Sequence, residues 1–224
     1  MPALSHLSFS DWIEHAFSHE IRLHGNPWFF DLDADWWDPE PEEAVRYITR
    51  LFTDAPEALE WFSDDQIAQG FTYLMNTMAS GDNGWFYSQT VPEQARWECV
   101  EAMQPLFREL FAPRCQPLLS HLSETEPVSL NGVVYMWFDV LPSFALPDDP
   151  AFDRLNLALV RTMGVILDLD SLACQESALH GLGHWHRFHA QAVERMIDQY
   201  LASGAAARGE LLTYARAARC GCVQ

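Results

Sequence analysis

Lysine is absent from this 224-residue chain, so all 13 basic residues are arginine. Against 32 acidic residues they leave a formal net charge of −19. Such a balance repels phosphate backbones and anionic lipid, and it attracts cationic partners with accelerated encounter. Direct nucleic-acid binding is therefore not expected. Long hydrophobic runs are missing too: no stretch of about 18 uncharged apolar residues occurs, and the best one, Leu155 to Leu167, is interrupted by Arg161. No membrane-spanning helix is expected. Met1 to Trp12 has neither the basic start nor the apolar centre of a signal peptide, which makes the cytoplasm the expected location. The five cysteines form no CxxC pair, which excludes a zinc ribbon and a disulfide framework and predicts reduced thiols. Cys99, Cys115 and Cys174 lie in helical patterns as small core residues, and Cys220-Gly221-Cys222 falls at a frayed end. Nucleophile-elbow, P-loop, dinucleotide and kinase signatures are all lacking.

What is present is apolar and aromatic residue in quantity, 49% and 13% of the chain, ample for a large core. Its spacing is helical almost throughout. Phe9, Trp12, Ile13, Phe17 and Ile21 predict a helix capped by Ser8 or Ser10 and running to about His24. Pro39 and Pro41 lead into a second, carrying Ala44, Tyr47, Ile48, Leu51 and Phe52. Asp54-Ala55-Pro56-Glu57 reads as a new helix start. Ser63 and Gln66 have the spacing of a capping box, and Pro92 opens a helix through Cys99, Met103, Leu106 and Leu110. Further helices are expected over 131–144, 149–167, 170–186, 190–202 and 205–219. The apolar run Val133 to Phe138 is read as helical because it lies among helices.

Helices of this length joined by short turns predict an all-α fold of antiparallel hairpins. In 170–204, Ala178-Leu179-His180-Gly181-Leu182-Gly183-His184 on a first helix and Val193 to Leu201 on a second resemble the HEAT-like helical repeat proteins. The resemblance implies a right-handed α-solenoid whose usual role is binding other proteins; a more irregular helical array is the alternative. A single domain over 1–224 is expected, divisible at the polar stretch 123–130. The half before it, 1–122, is rich in acid and aromatics; the half after it, 131–224, is HEAT-like. Of the 32 acidic residues, 20 precede Pro113, with only 5 of the 13 arginines.

Four of the nine histidines fall within 180–189. On a helix, Leu172, Leu179, Leu182 and Trp185 form an apolar stripe, and Glu176, His180 and His184 form a second stripe beside it at i, i+4, i+8. Two imidazoles one turn apart can reach one metal ion, with a carboxylate a turn away as a third ligand. The spacing is that of HExxH, but Gly181 stands where that motif has its general base. Mid-helix glycines cost about 1 kcal/mol each, so Gly181 and Gly183 predict close approach of a neighbouring segment. The preferred reading is packing histidines with no metal. The fallback is a divalent transition metal on Glu176, His180 and His184, with Asp168 or Asp170 nearby and a further ligand of the kind His121 or Asp139 offers. His186 and His189 fall at the turn between two helices.

A second cluster is the acidic, aromatic stretch 28–43. Asp31, Asp33, Asp35 and Glu42 match calcium-loop positions 1, 3, 5 and 12, but Trp36 occupies the place of the obligatory turn glycine, which argues against calcium. The stretch reads instead as a surface for an arginine- or lysine-rich protein: Trp28, Trp36, Trp37 and, from a later cluster, Trp85 supply contact area, while Asp31, Asp33, Asp35, Asp38 and Glu42 select positive charge. The expected function is thus a non-enzymatic interaction module for a basic protein, for instance an immunity-type antidote to a basic toxin. A metal-dependent enzyme using the 170–186 helix and a structural homo-oligomer subunit are the alternatives.

Overall fold

The computed structural model describes residues 4, 6–22, 24–75, 88–122, 129–140, 150–204 and 209–223. Among them the chain is all helical, with no strand and one isolated parallel bridge between Leu4 and Trp37. None of the described helices is long and apolar enough to cross a membrane.

Helix α1 (Phe9–Phe17) opens at Ser8, whose Oγ accepts the Asp11 N–H at 3.2 Å. It stops at Phe17 rather than near His24, because the chain turns there into the aromatic stretch. His19 folds back to the His15 carbonyl at 2.8 Å and stacks on Trp28 at 3.6 Å. Helix α2 (Pro41–Ala58) starts at a proline whose missing N–H has no partner to lose. No new helix begins at Asp54: Pro56 sits inside the last turn of α2, where it removes a single backbone bond. Helix α3 (Asp64–Met75) carries the reciprocal capping box, with Gln66 N–H on Ser63 Oγ at 3.2 Å and Ser63 N–H on Gln66 Oε1 at 3.1 Å.

Helix α4 (Glu93–Glu101) continues through Met103–Pro105, a π-helical turn Leu106–Phe111 and Ala112–Arg114. That wider turn points Leu106, Phe107, Leu110 and Phe111 all into the core. Next come two short helices, α5 (Ser129–Tyr135) and α6 (Trp137–Val140), so the apolar run Val133 to Phe138 is helical. Trp137 is fully buried, with its ring 5.1 to 5.7 Å from those of Phe52, Phe71, Phe107 and Phe111. Aromatic contacts of this kind add to the area they bury, and here they tie α6 to α2, α3 and the π-turn. One contiguous cluster of buried side chains runs from Trp12 to Ala218.

Helix α7 (Pro150–Leu167) packs against α8 (Leu172–Ser203), and α9 (Gly209–Arg219) packs on α8 as well. Within α8 only His189 leaves helical geometry, at φ −133° and ψ 41°. The Tyr200 hydroxyl nevertheless donates to Gln175 Oε1 at 3.0 Å. A straight helix would hold residues so separated about 37 Å apart, so α8 doubles back on itself at His189. Gly204, at φ 72°, ends the second limb in the left-handed conformation that glycine adopts readily.

Candidate metal centre

Short helix α6 is anchored by Trp137 and Phe138, and it carries Asp139 to the first limb of α8. The close approach rests on Gly181. A Cβ there would lie 2.7 Å from Phe138 Cβ and 2.6 Å from Met163 Sδ, so no larger residue fits without displacement. The residue that breaks the HExxH pattern is thus the one that lets α6 and α7 close on the helix. Gly183 is tight for another reason: its Cβ would meet Val223 of the C-terminal tail at 2.6 Å.

At this contact the Asp139 carboxylate faces two imidazoles, one on each oxygen. His180 Nε2 is 3.0 Å from Oδ2, and His184 Nε2 is 3.2 Å from Oδ1. One donor atom from each residue lies within 4.8 Å of the others, and among the described residues this is the group of three that can hold an ion. An ion bonded at about 2.0 to 2.1 Å sets tetrahedral donors about 3.3 Å apart; the two imidazole–carboxylate spacings are of that size, each to its own carboxylate oxygen, and the three donors together close to within 4.8 Å. The donor set of two imidazoles and one carboxylate suits zinc, iron, manganese or cobalt better than calcium or magnesium, which prefer oxygen.

The far nitrogen of His180, Nδ1, lies 2.6 Å from the Tyr214 hydroxyl of α9, and that hydroxyl lies 3.2 Å from Tyr135 Oη. A metal-ligating imidazole needs such an outer partner to set its tautomer and ring orientation. With an ion on Nε2, Nδ1–H donates to Tyr214. Without one, His180 Nε2–H donates to Asp139 and Tyr214 donates to Nδ1, so the same side chains form a hydrogen-bonded chain from Asp139 through His180 to Tyr214. Burial pushes the Tyr214 and Tyr135 phenols up and keeps both protonated. Burial also raises the Asp139 carboxyl, but the His180 hydrogen bond and the two imidazoles outweigh it, so its pKa falls below 3.8. Burial lowers His184 below 6.5 despite Asp139, and His180 and Arg187 add to the lowering. The pair is therefore poised as carboxylate and neutral imidazole, the forms that ligate.

His180 is buried, whereas His184 is half open to a cleft of about 450 Å³. Asp139, His184, His186, Arg187, Cys220 and Gly221 are among its lining residues. The tail is ordered against the site rather than frayed. Gly221, at φ 69°, forms a Schellman cap in which Cys222 N–H bonds the Ala217 carbonyl and Gly221 N–H bonds that of Ala218, both at 2.9 Å.

Glu176 does not join the histidines it precedes. Its buried carboxylate accepts the Ser120 and His121 N–H groups at 2.8 Å each and meets His121 Nδ1 at 2.5 Å. His121 in turn stacks on Tyr214 at 4.3 Å, so this pair braces the outer partner of His180. Asp168 and Asp170 are exposed at the α7–α8 turn. The sequence pattern pointed to His180 and His184 and named Asp139 only as a type of residue; Tyr214 and Tyr135 carried no signal, being single polar residues on otherwise ordinary helices.

The residues of the acidic stretch separate by burial. Trp28 and Trp37 are in the core, the latter with its backbone N–H on Tyr73 Oη at 3.2 Å. Trp36 is 47% exposed and Leu32 96%. Asp33, Asp35, Asp38 and Glu42 are exposed, and Asp31 is held by both Arg22 guanidinium nitrogens at 2.8 and 2.6 Å. The carboxylates of Asp31, Asp33 and Asp35 are not gathered within ligand distance of one another. Trp85 lies outside the described residues. No family model, curated protein or solved structure matches this chain, and the chemistry of the site stands on its own residues.

Proposed function

We propose that this protein is a metal-dependent enzyme whose divalent transition-metal ion is held by Asp139, His180 and His184. The observation that carries the reading is the convergence of three donor groups from two helices within 4.8 Å of one another, with His180 braced by Tyr214 and an open cleft beside His184. Three protein ligands and an accessible face are the arrangement of a catalytic rather than a structural site. An ion there would supply Lewis acidity and lower the pKa of bound water, the basis of metal-assisted hydrolysis. The chain's own contribution is to orient the imidazoles and to keep Asp139 ionised. His186, held by Glu194 at 3.0 Å, borders the cleft. The same reading takes 170–204 as a HEAT-type hairpin in a right-handed helical array, supported by the Tyr200–Gln175 bond. A reducing cytoplasmic location fits the five free thiols.

Native mass spectrometry of the full chain with one equivalent of zinc tests this. One bound ion is expected, together with a rise in Tm, because a ligand of the folded state stabilises it. Asp139→Asn should lose the ion and the rise while keeping the wild-type circular dichroism spectrum. Equal zinc uptake by wild type and Asp139→Asn, or none by wild type, overturns the reading.

A second reading, binding of a basic protein, is favoured by the exposure of Trp36, Leu32 and Phe30 among free carboxylates. Its immunity-type version requires a cationic groove on the partner. An arginine-rich peptide titrated calorimetrically should bind with strong salt dependence, and Asp33→Asn with Asp35→Asn should weaken it. Salt-insensitive binding, or none, counts against this surface.

A further inference from the structure

Resting on the metal reading above, we infer that the open face of the centre takes a small oxyanion, held between the ion and the Arg187 guanidinium. The first ground is local charge in a chain of net −19. A divalent ion with one carboxylate and two neutral imidazoles keeps one net positive charge, and Arg187 adds a second in the same cleft. Asp139, which the ion itself neutralises, is the one carboxylate among the described lining residues.

The second ground is the state of Arg187. Arg22, Arg46, Arg50, Arg114, Arg154 and Arg219 each pair with a carboxylate. No described carboxylate lies within ion-pair distance of Arg187, whose guanidinium instead lies over the Phe188 ring at 4.3 Å. Arg108, Arg161, Arg195 and Arg216 are exposed in the same way, so what sets Arg187 apart is its place: it is the arginine among the described residues that line this cleft, and a guanidinium keeps its planar fork of N–H donors when it stacks on an aromatic ring. That fork matches two oxygens of a carboxylate or phosphate.

Size is the third ground. About 450 Å³ admits a small molecule, and Gly183 and Gly221 leave part of the lining as bare backbone. A polyanion would meet the acidic remainder of the surface, whereas a small oxyanion avoids it. Metal coordination on one side and a bidentate guanidinium on the other thus select an anionic oxygen ligand over a neutral or cationic one.

The test uses the full chain loaded with cobalt(II), whose visible absorption reports its coordination. Titration with inorganic phosphate and, separately, with acetate should shift the band saturably; a response to one alone identifies which oxyanion class the cleft favours and supports the inference. Arg187→Gln should bind cobalt with unchanged stoichiometry and band, yet require about tenfold more oxyanion, the loss expected for one charge-assisted pair. A band indifferent to both anions, or an Arg187→Gln curve that overlays the wild type, overturns the inference and leaves the metal centre standing. Failure to take up cobalt at all removes the metal reading and this inference with it.

Discussion

At the scale of single residues, Gly181 shows how a local fault can be a global requirement. Glycine weakens a helix by about 1 kcal/mol relative to alanine, yet at this position the added methyl would enter Phe138 and Met163. Gly181→Ala should therefore destabilise the protein by about 1 to 2 kcal/mol, the overpacking loss less the gain in helix propensity. The urea midpoint measures it, and an increase in stability would refute the close approach. Glu176 illustrates the complementary case. A buried carboxylate must be fully hydrogen-bonded, and the Ser120–His121 segment satisfies it, leaving its place beside the histidines to Asp139. Cysteine follows burial in the same way: it pushes the Cys99 thiol up to about 12 and Cys174 up to about 11, so neither is a nucleophile at neutral pH.

At the scale of elements, helix ends were the most legible features. The Ser8 cap, the Ser63–Gln66 capping box and the proline start of α2 are local chemistry between residues at most three apart, and all three are found. Less legible were the points where a helix stops for tertiary reasons, as α1 does where His19 turns onto Trp28, or runs on through a breaker, as α2 does at Pro56. The fold-back of α8 depends on a buried polar pair. Tyr200, whose phenol burial raises to about 12, stays protonated and donates to Gln175. Tyr200→Phe leaves Gln175 Oε1 buried without that donor, and an unfolding free energy lower by about 1 to 3 kcal/mol is expected. Chemical denaturation with an unchanged m-value would locate the loss in this bond; an unchanged midpoint would mean that the two limbs are held by apolar packing alone.

At the scale of the whole molecule, stability should respond to mild acid before most carboxylates titrate. His15 and His19 join α1 to Tyr73 and Trp28 in the acidic half. Burial lowers both below 6.5; for His15 the neighbouring His19 adds to it and Asp35 opposes it, and for His19 the His15 carbonyl opposes it. A lowered imidazole pKa means that the unfolded chain binds more protons just below pH 6.5. Their contribution is full above 6.5 and is lost as pH falls through the folded values. Thermal melts between pH 7 and pH 5 should show Tm falling, with a smaller slope in His15→Gln; a flat profile would contradict the lowered values. The net charge of −19 acts in the opposite sense, since protonation relieves self-repulsion, so the melts belong at constant, moderate ionic strength.

By itself the sequence determined the helical class, the principal caps, the acidic bias and the placement of His180 and His184 one turn apart on one face. Each of these follows from periodicity or from contacts within a turn, and such contacts are encoded by neighbours along the chain. The tertiary structure alone decided that Asp139 rather than Glu176 faces those histidines, that Tyr214 orients one of them, that the C-terminal tail lines the cleft, and that Trp28 and Trp37 are core while Trp36 is surface. Those outcomes depend on which helices approach, and approach is set by volumes: the missing side chain of Gly181 and the filled space around Trp137. No local pattern carries that information, because it is a property of surfaces brought together from distant parts of the chain.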